Sequence, residues 1–253
     1  MRLTNSRTAP RPAHAAERAG IAASSGRAAR SGSRGKILDA AELLFADHGY
    51  EACSFRMIAA GGGVNQGLLH YYFGTKKNLF FEVFLRRARL LSEQRMALLD
   101  KAEAEAAGKA VPVEALVRCF IEPPLRMLQQ GAGSRAFARI HSQLRNEPHD
   151  FGLELRREAF GKSTQRYVDA MSKACPHLSA ETAYWRFNFM IGTYLVVISQ
   201  SGRLQDISRG SCSSSDVDSA ISQIVPFVVA GFHATDTARR AKRPAAKGGR
   251  SGK

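Results

Sequence analysis

The 253-residue sequence predicts an all-α protein with a small N-terminal unit and a larger C-terminal one. Three observations carry that prediction. Apolar residues recur at helical spacing through residues 33–233. No run of period-2 alternation, the mark of a half-buried strand, interrupts them. Ser, Thr and Asn stand where the periodic runs begin, and Gly stands where they end.

The first helix is expected from Ser33, an N-cap, with Ile37, Leu38, Ala41, Leu44 and Phe45 on one face. Gly49 stops it, and His48 sits in the last turn, where a cation suits the helix dipole. Ser54 caps a second, short helix that buries Phe55 and Ile58, and Gly61-Gly62-Gly63 breaks it. Asn65 caps a third helix with Leu68, Leu69 and Tyr72, ended by Phe73-Gly74. Thr75 caps a long fourth helix carrying Leu79, Phe80, Val83, Phe84, Leu90 and Leu91. After a break at residues 108–112, helices are expected over 112–130, 134–145, 148–174, 179–201 and 214–233. Pro123-Pro124 should kink or break the first of these, Ser179 caps the fourth and Gly202 closes it.

The charge of +15 is unevenly placed: residues 1–35 and residues 236–253 carry +6 each, which leaves +3 for residues 36–235. Both ends are rich in Pro, Gly, Ser and Ala, so residues 1–32 and 234–253 read as disordered basic tails. Such tails either add salt-sensitive contact with DNA or only aid solubility. No stretch of 18 apolar residues occurs, so no membrane span is expected, and neither tail has the apolar centre of a secretory signal. A cytoplasmic location follows as an expectation. Cys53, Cys119, Cys175 and Cys212 are scattered without metal-ligand spacing and read as reduced thiols. No metal or cofactor is expected. The motifs of serine hydrolases, zinc proteases, dinucleotide sites and phosphate loops are all missing, which argues against an enzyme.

Between Glu51 and Glu82 there is no Asp or Glu. Two short helices joined by a glycine turn and braced by a third make a helix-turn-helix, whose second helix enters the major groove of double-stranded DNA. Leu69 and Phe73 pin that helix, while Gln66, Gly67, His70 and Tyr71 face the other way. Gly67 allows close backbone approach. Asn65 and Gln66 suit adenine or phosphate, and His70, Tyr71 and Tyr72 suit phosphate oxygens. Ser54, Arg56 and Thr75, at the neighbouring helix starts, complete the predicted DNA-binding set. Lys76 and Lys77 lie in a first helical turn, where the dipole disfavours a cation by about 0.3–1 kcal/mol each. Either a phosphate occupies that end, with Lys76 as its ligand, or these are ordinary surface lysines.

Ile37-Leu38-Asp39-Ala40-Ala41, Leu44-Phe45, Gly49-Tyr50, Ile58-Ala59, Gly63-Val64, Gly67 and the run from Leu69 to Leu79 together resemble the N-terminal domain of the tetracycline-repressor (TetR) family. The resemblance covers residues 35–85. It implies a three-helix DNA-binding domain (residues 33–80) on a helical effector-binding and dimerisation domain (residues 81–233). It also places Asn65, Gln66 and Gly67 at the start of the recognition helix and Lys76 at a phosphate. The triple glycine departs from the family's usual single glycine. Two extra helical glycines cost about 1 kcal/mol each, so Gly62→Ala should stabilise the protein.

The C-terminal part concentrates aromatic residues. Phe120, Phe137, His141, Phe160, Tyr167, Trp185 and Phe189 are the expected lining of an apolar effector cavity, and Arg145, Arg156 and Arg157 could rim it for an anion. A solvated face paired with Glu154 and Glu158 is the plainer reading of Arg156 and Arg157. Residues 184–192 resemble TetR members that answer to fatty acids or acyl thioesters. Ile191, Leu195 and Ile198, with Val217, Ile221, Ile224 and Val228, form two apolar stripes expected at a homodimer interface, the alternative being that both pack only into their own subunit. Three functions stay open on the residues: a repressor, an activator of the same fold, and a helical adaptor that does not bind DNA.

Overall fold

The computed structural model of the protein describes residues 13–144 and 149–236. Every regular element among these residues is helical. In chain order they are α1 (Ala13–Ala52), α2 (Phe55–Gly62), α3 (Gln66–Phe73), α4 (Lys76–Glu105), α5 (Val113–Arg126), a 3-10 turn (Met127–Gln129), α6 (Ala132–Gln143), α7 (His149–Ala174), α8 (Ala180–Ile198), α9 (Arg203–Ile207) and α10 (Val217–His233). Arg145, residues 1–12 and residues 237–253 lie outside the described residues.

The first helix differs from expectation. It runs back past Ser33 to Ala13, because residues 13–32 are alanine-rich and contain no proline. Gly49 interrupts its helical geometry at φ 78°, the stop the sequence marks. The next three starts are capped as expected: the Ser54, Asn65 and Thr75 oxygens accept from the amides of Met57 (3.3 Å), Gly67 (2.7 Å) and Asn78 (3.1 Å). Gly63, at φ 60°, ends α2 in the left-handed conformation.

The other two glycines have a packing role. A Cβ on Gly62 would lie 3.3 Å from the Lys36 carbonyl oxygen, and one on Gly61 would lie 3.2 Å from Leu44 Cδ1. They let α2 press against α1. The stabilisation expected for Gly62→Ala is therefore corrected: the new methyl meets backbone, which cannot easily give way.

Pro123 and Pro124 do not break α5, which continues through both to a 3-10 turn. Pro124 has no N–H to offer the Phe120 carbonyl four residues earlier, so that acceptor is left free inside the helix. The chain past α8 also differs. That helix ends at Ile198, Gly202 lies before α9 at φ 78°, and the five-residue α9 is too short to leave a periodic signal. After α10 the chain is held to residue 236, not 233. Asp236 accepts from the Ser179 amide (2.6 Å) and the Thr182 hydroxyl (2.8 Å), while Arg186 donates to the carbonyls of Phe232, Ala234 and Thr235.

Two apolar clusters form the core. One takes in α5, α8, α10 and the distal parts of α4 and α7. The other takes in α1–α3 and the front of α4, together with Phe137 and Ile140 of α6 and Leu155 and Phe160 of α7. A cut at residue 80 thus falls inside α4 and crosses the second cluster. Polar contacts tie the same parts. Glu42 of α1, a buried carboxylate, accepts from Arg86 (2.9 Å) and Arg87 (3.0 Å) of α4. Gly133 of α6 lies against that group, where a Cβ would come within 2.7 Å of Glu42 Oε2.

Candidate DNA-reading surface and effector cavity

Leu69 and Phe73 are buried and fix α3, while Gln66, Gly67, His70 and Tyr71 are exposed on its other side, Tyr71 to 72%. Arg56 on α2 is exposed as well. The His70 ring meets Phe55 edge-on at 4.8 Å, and Tyr71 meets Tyr72 at 5.2 Å, so two of the rings are held by neighbours rather than free to swing. Ser54, Asn65 and Thr75 use their side-chain oxygens as helix caps.

Lys76 and Lys77 have partners within the chain. Lys76 Nζ donates to the carbonyls of Tyr50 (3.0 Å) and Glu51 (3.1 Å) and sits 4.4 Å from the Tyr50 ring centroid. It closes the end of α1, where carbonyls lack helical partners. Lys77 pairs with Glu154 of α7 at 2.8 Å, beside Phe81 and Phe151. The two cations set against the dipole thus each have contacts within the chain.

The body holds a cavity of about 280 Å³ at the seam between the two clusters. Of the expected lining, Phe120, His141 and Phe160 face it. Phe137 and Tyr167 are buried behind: Phe137 stacks near His141 at 5.7 Å, and Tyr167 donates to the Arg95 carbonyl at 2.7 Å. Trp185 and Phe189 are corrected outright. They lie on the outer face of α8, 57% and 60% exposed. Arg156 and Arg157 do line the cavity, as do Ile191 and Leu195, which were expected at a dimer interface.

The residue missed by sequence reasoning is Arg95, which is 1% exposed. Its signal was present: Phe84, Ala88, Leu91, Arg95 and Leu99 form one buried stripe of α4, with a guanidinium in the middle. Arg95 Nε donates to the Phe120 carbonyl at 2.9 Å, the acceptor that Pro124 leaves free. Its Cζ lies 3.8 Å from the Phe120 ring centroid. Burial, with Arg95 and Arg156 nearby, holds the His141 imidazole down to about pKa 3, so it is neutral at pH 7.

The outer face of α8 and α10 is apolar and exposed. It carries Trp185, Phe189, Val196 and Phe227, with Phe189 and Phe227 lining a groove. By contrast, Leu195, Ile198, Val217, Ile221, Ile224 and Val228 are buried within the subunit, which corrects their assignment to an interface. Burial raises the thiol pKa of Cys53, Cys119 and Cys175, the condition of structural rather than reactive cysteines. No described helix is long and apolar enough to cross a membrane.

Comparisons with known proteins agree with this architecture. Residues 37–83 match the model of the family described as bacterial regulatory proteins, tetR family. Residues 118–231 match that of a tetracyclin repressor-like C-terminal domain. Over 61 residues the chain is 36% identical to the HTH-type transcriptional repressor AcnR of Corynebacterium glutamicum, an alignment covering 24% of this chain and 32% of that protein. The chain therefore spans about a third of the length of the curated relative it matches. Among solved structures, the regulator FadR from Bacillus subtilis in complex with stearoyl-CoA superposes with a TM-score of 0.51 at 16% identity, over 78% of this chain and 97% of that one. A regulator from Saccharomonospora viridis in complex with choline gives 0.53 at 23% identity, over 78% and 96%. At these identities the likeness is one of fold.

Proposed function

The chain belongs to the TetR family of bacterial regulatory proteins, and on that premise we propose that it is a ligand-responsive transcriptional repressor. Residues 33–80 read a palindromic operator, and residues 81–233 bind a small apolar or acyl effector and form a homodimer in the cytoplasm. The observation that carries the reading is α3 itself: an acid-free helix fixed by Leu69 and Phe73, with Gln66, His70 and Tyr71 exposed together. A two-fold dimer would set two such helices about 34–36 Å apart, in successive major grooves. The exposed apolar face of α8 and α10 supports that dimer, since a patch of this kind is unusual on a monomer.

The effector would act by population shift. It favours a spacing of the two heads that DNA does not accept, and DNA weakens effector binding in equal measure. The cavity at the seam supports this, because α7 carries both its lining residues Arg156 and Phe160 and the head contacts Phe151 and Glu154. Gel shifts over DNA fragments flanking the protein's own gene test the reading. A discrete complex that survives competitor DNA is expected; binding that is independent of sequence overturns it.

A further inference from the structure

The cavity has a composition that names its ligand's chemistry. Three arginines line it (Arg95, Arg156 and Arg157), and no Asp or Glu does. Among the described residues Arg95 takes part in no ion pair, although it is buried; its Nη2 has no hydrogen-bond partner there, and neither has Nδ1 of the buried His141. Buried arginines are normally matched by a carboxylate. Here the position of the guanidinium is over-determined, by the Phe120 carbonyl below and the Phe120 and Tyr194 rings at 3.8 and 5.2 Å. An arginine held so firmly, lining a cavity and with a buried donor left unsatisfied, is short of an anion.

We propose that this cavity is a receptor for a free monocarboxylic acid with a compact apolar body, whose carboxylate pairs with Arg95 and accepts from His141. The proposal rests on the effector role of the same cavity. Phe160, Ile191 and Leu195 supply the apolar wall for the acid's body. A cation is excluded by charge. An ester or amide leaves Arg95 without a counter-charge. An acyl-coenzyme A carries its charges on the nucleotide, and its thioester is neutral where the guanidinium is buried.

Calorimetry and thermal melting of the full chain without DNA would use straight-chain and phenyl-substituted monocarboxylates (octanoate and phenylacetate among them), their methyl esters, and octanoyl-coenzyme A. At least one free acid is expected to bind and to raise the melting temperature, and its ester to bind about 10–100-fold more weakly. Arg95→Met should lose a similar factor for the acid; it also leaves the Phe120 carbonyl without its donor, so its melting temperature without ligand should fall, and the acid-induced rise in melting temperature, measured from each protein's own ligand-free value, is the readout. Gly161→Phe, at the cavity wall where an added Cβ meets open space, should block the acid with Arg95 intact. Equal affinity for acid and ester, tighter binding of the thioester, no binding by any acid, or full acid affinity in Arg95→Met would each overturn the proposal. A protein that binds acids but fails the gel shift would refute the repressor and leave the receptor standing.

Discussion

At the residue scale, two pairs of facts set expectations. Gly61 and Gly62 both lie within α2, and replacing a helical glycine with alanine is worth about 1 kcal/mol. Their surroundings separate them: the tip of Leu44 can shift for Gly61→Ala, whereas the Lys36 carbonyl cannot for Gly62→Ala. Thermal melts should show a rise for the first and no rise for the second. His141 sets the other expectation. Its folded pKa, about 3, lies below the 6.5 of the exposed group. Above pH 6.5 the ring is neutral in both states, and stability is full. As pH falls below 6.5 the unfolded chain takes up a proton that the fold refuses, so stability drops by about 1.4 kcal/mol per pH unit until the folded ring also titrates. Denaturant melts at pH 7 and pH 5 should show His141→Phe free of a loss of about 2 kcal/mol that the parent suffers. Residue identity told much of this site in advance; His141, Phe120 and Phe160 were legible as cavity lining. Arg95 was not, because one charge inside an apolar stripe reads as an interruption until its surroundings are known.

At the element scale, helix starts were legible because caps are local: Ser54, Asn65, Thr75 and Ser179 each bond within three residues of themselves. What could not be read were contacts made at a distance. The lysines opening α4 are the clearest case. Local electrostatics correctly marks them as unfavourable there, but their compensation comes from α1, 26 residues back, and from α7, 77 residues on. Lys76→Ala should therefore lower stability by about 1 kcal/mol, the worth of its bonds to the end of α1. It should leave the salt dependence of operator binding unchanged, where loss of a phosphate contact would reduce the slope of log K against log salt by about 1. The prolines of α5 are a second case. The chemistry of a missing N–H was predictable, and its use as a seat for Arg95 was not.

At the scale of the whole molecule, the sequence identified two apolar stripes and assigned both outward, whereas the fold buries most of them and turns a different face to solvent. Period alone cannot say which side of a helix meets its own subunit. On the observed exposure, Phe227→Glu should convert the proposed dimer to monomer in sedimentation and abolish operator binding, because a charge would be buried at the proposed interface, with no loss of helicity in the monomer. The division of the core is equally invisible to a linear reading: the cluster that supports the head draws Phe137, Ile140, Leu155 and Phe160 from residues far along the chain. Modular engineering meets that seam directly. A head transplanted onto another regulator's body by joining the chains at residue 80 would leave behind the side chains on which it is seated. The exchangeable part of this protein is a discontinuous surface, and a working chimaera has to carry matched patches of α6 and α7 along with α1–α3.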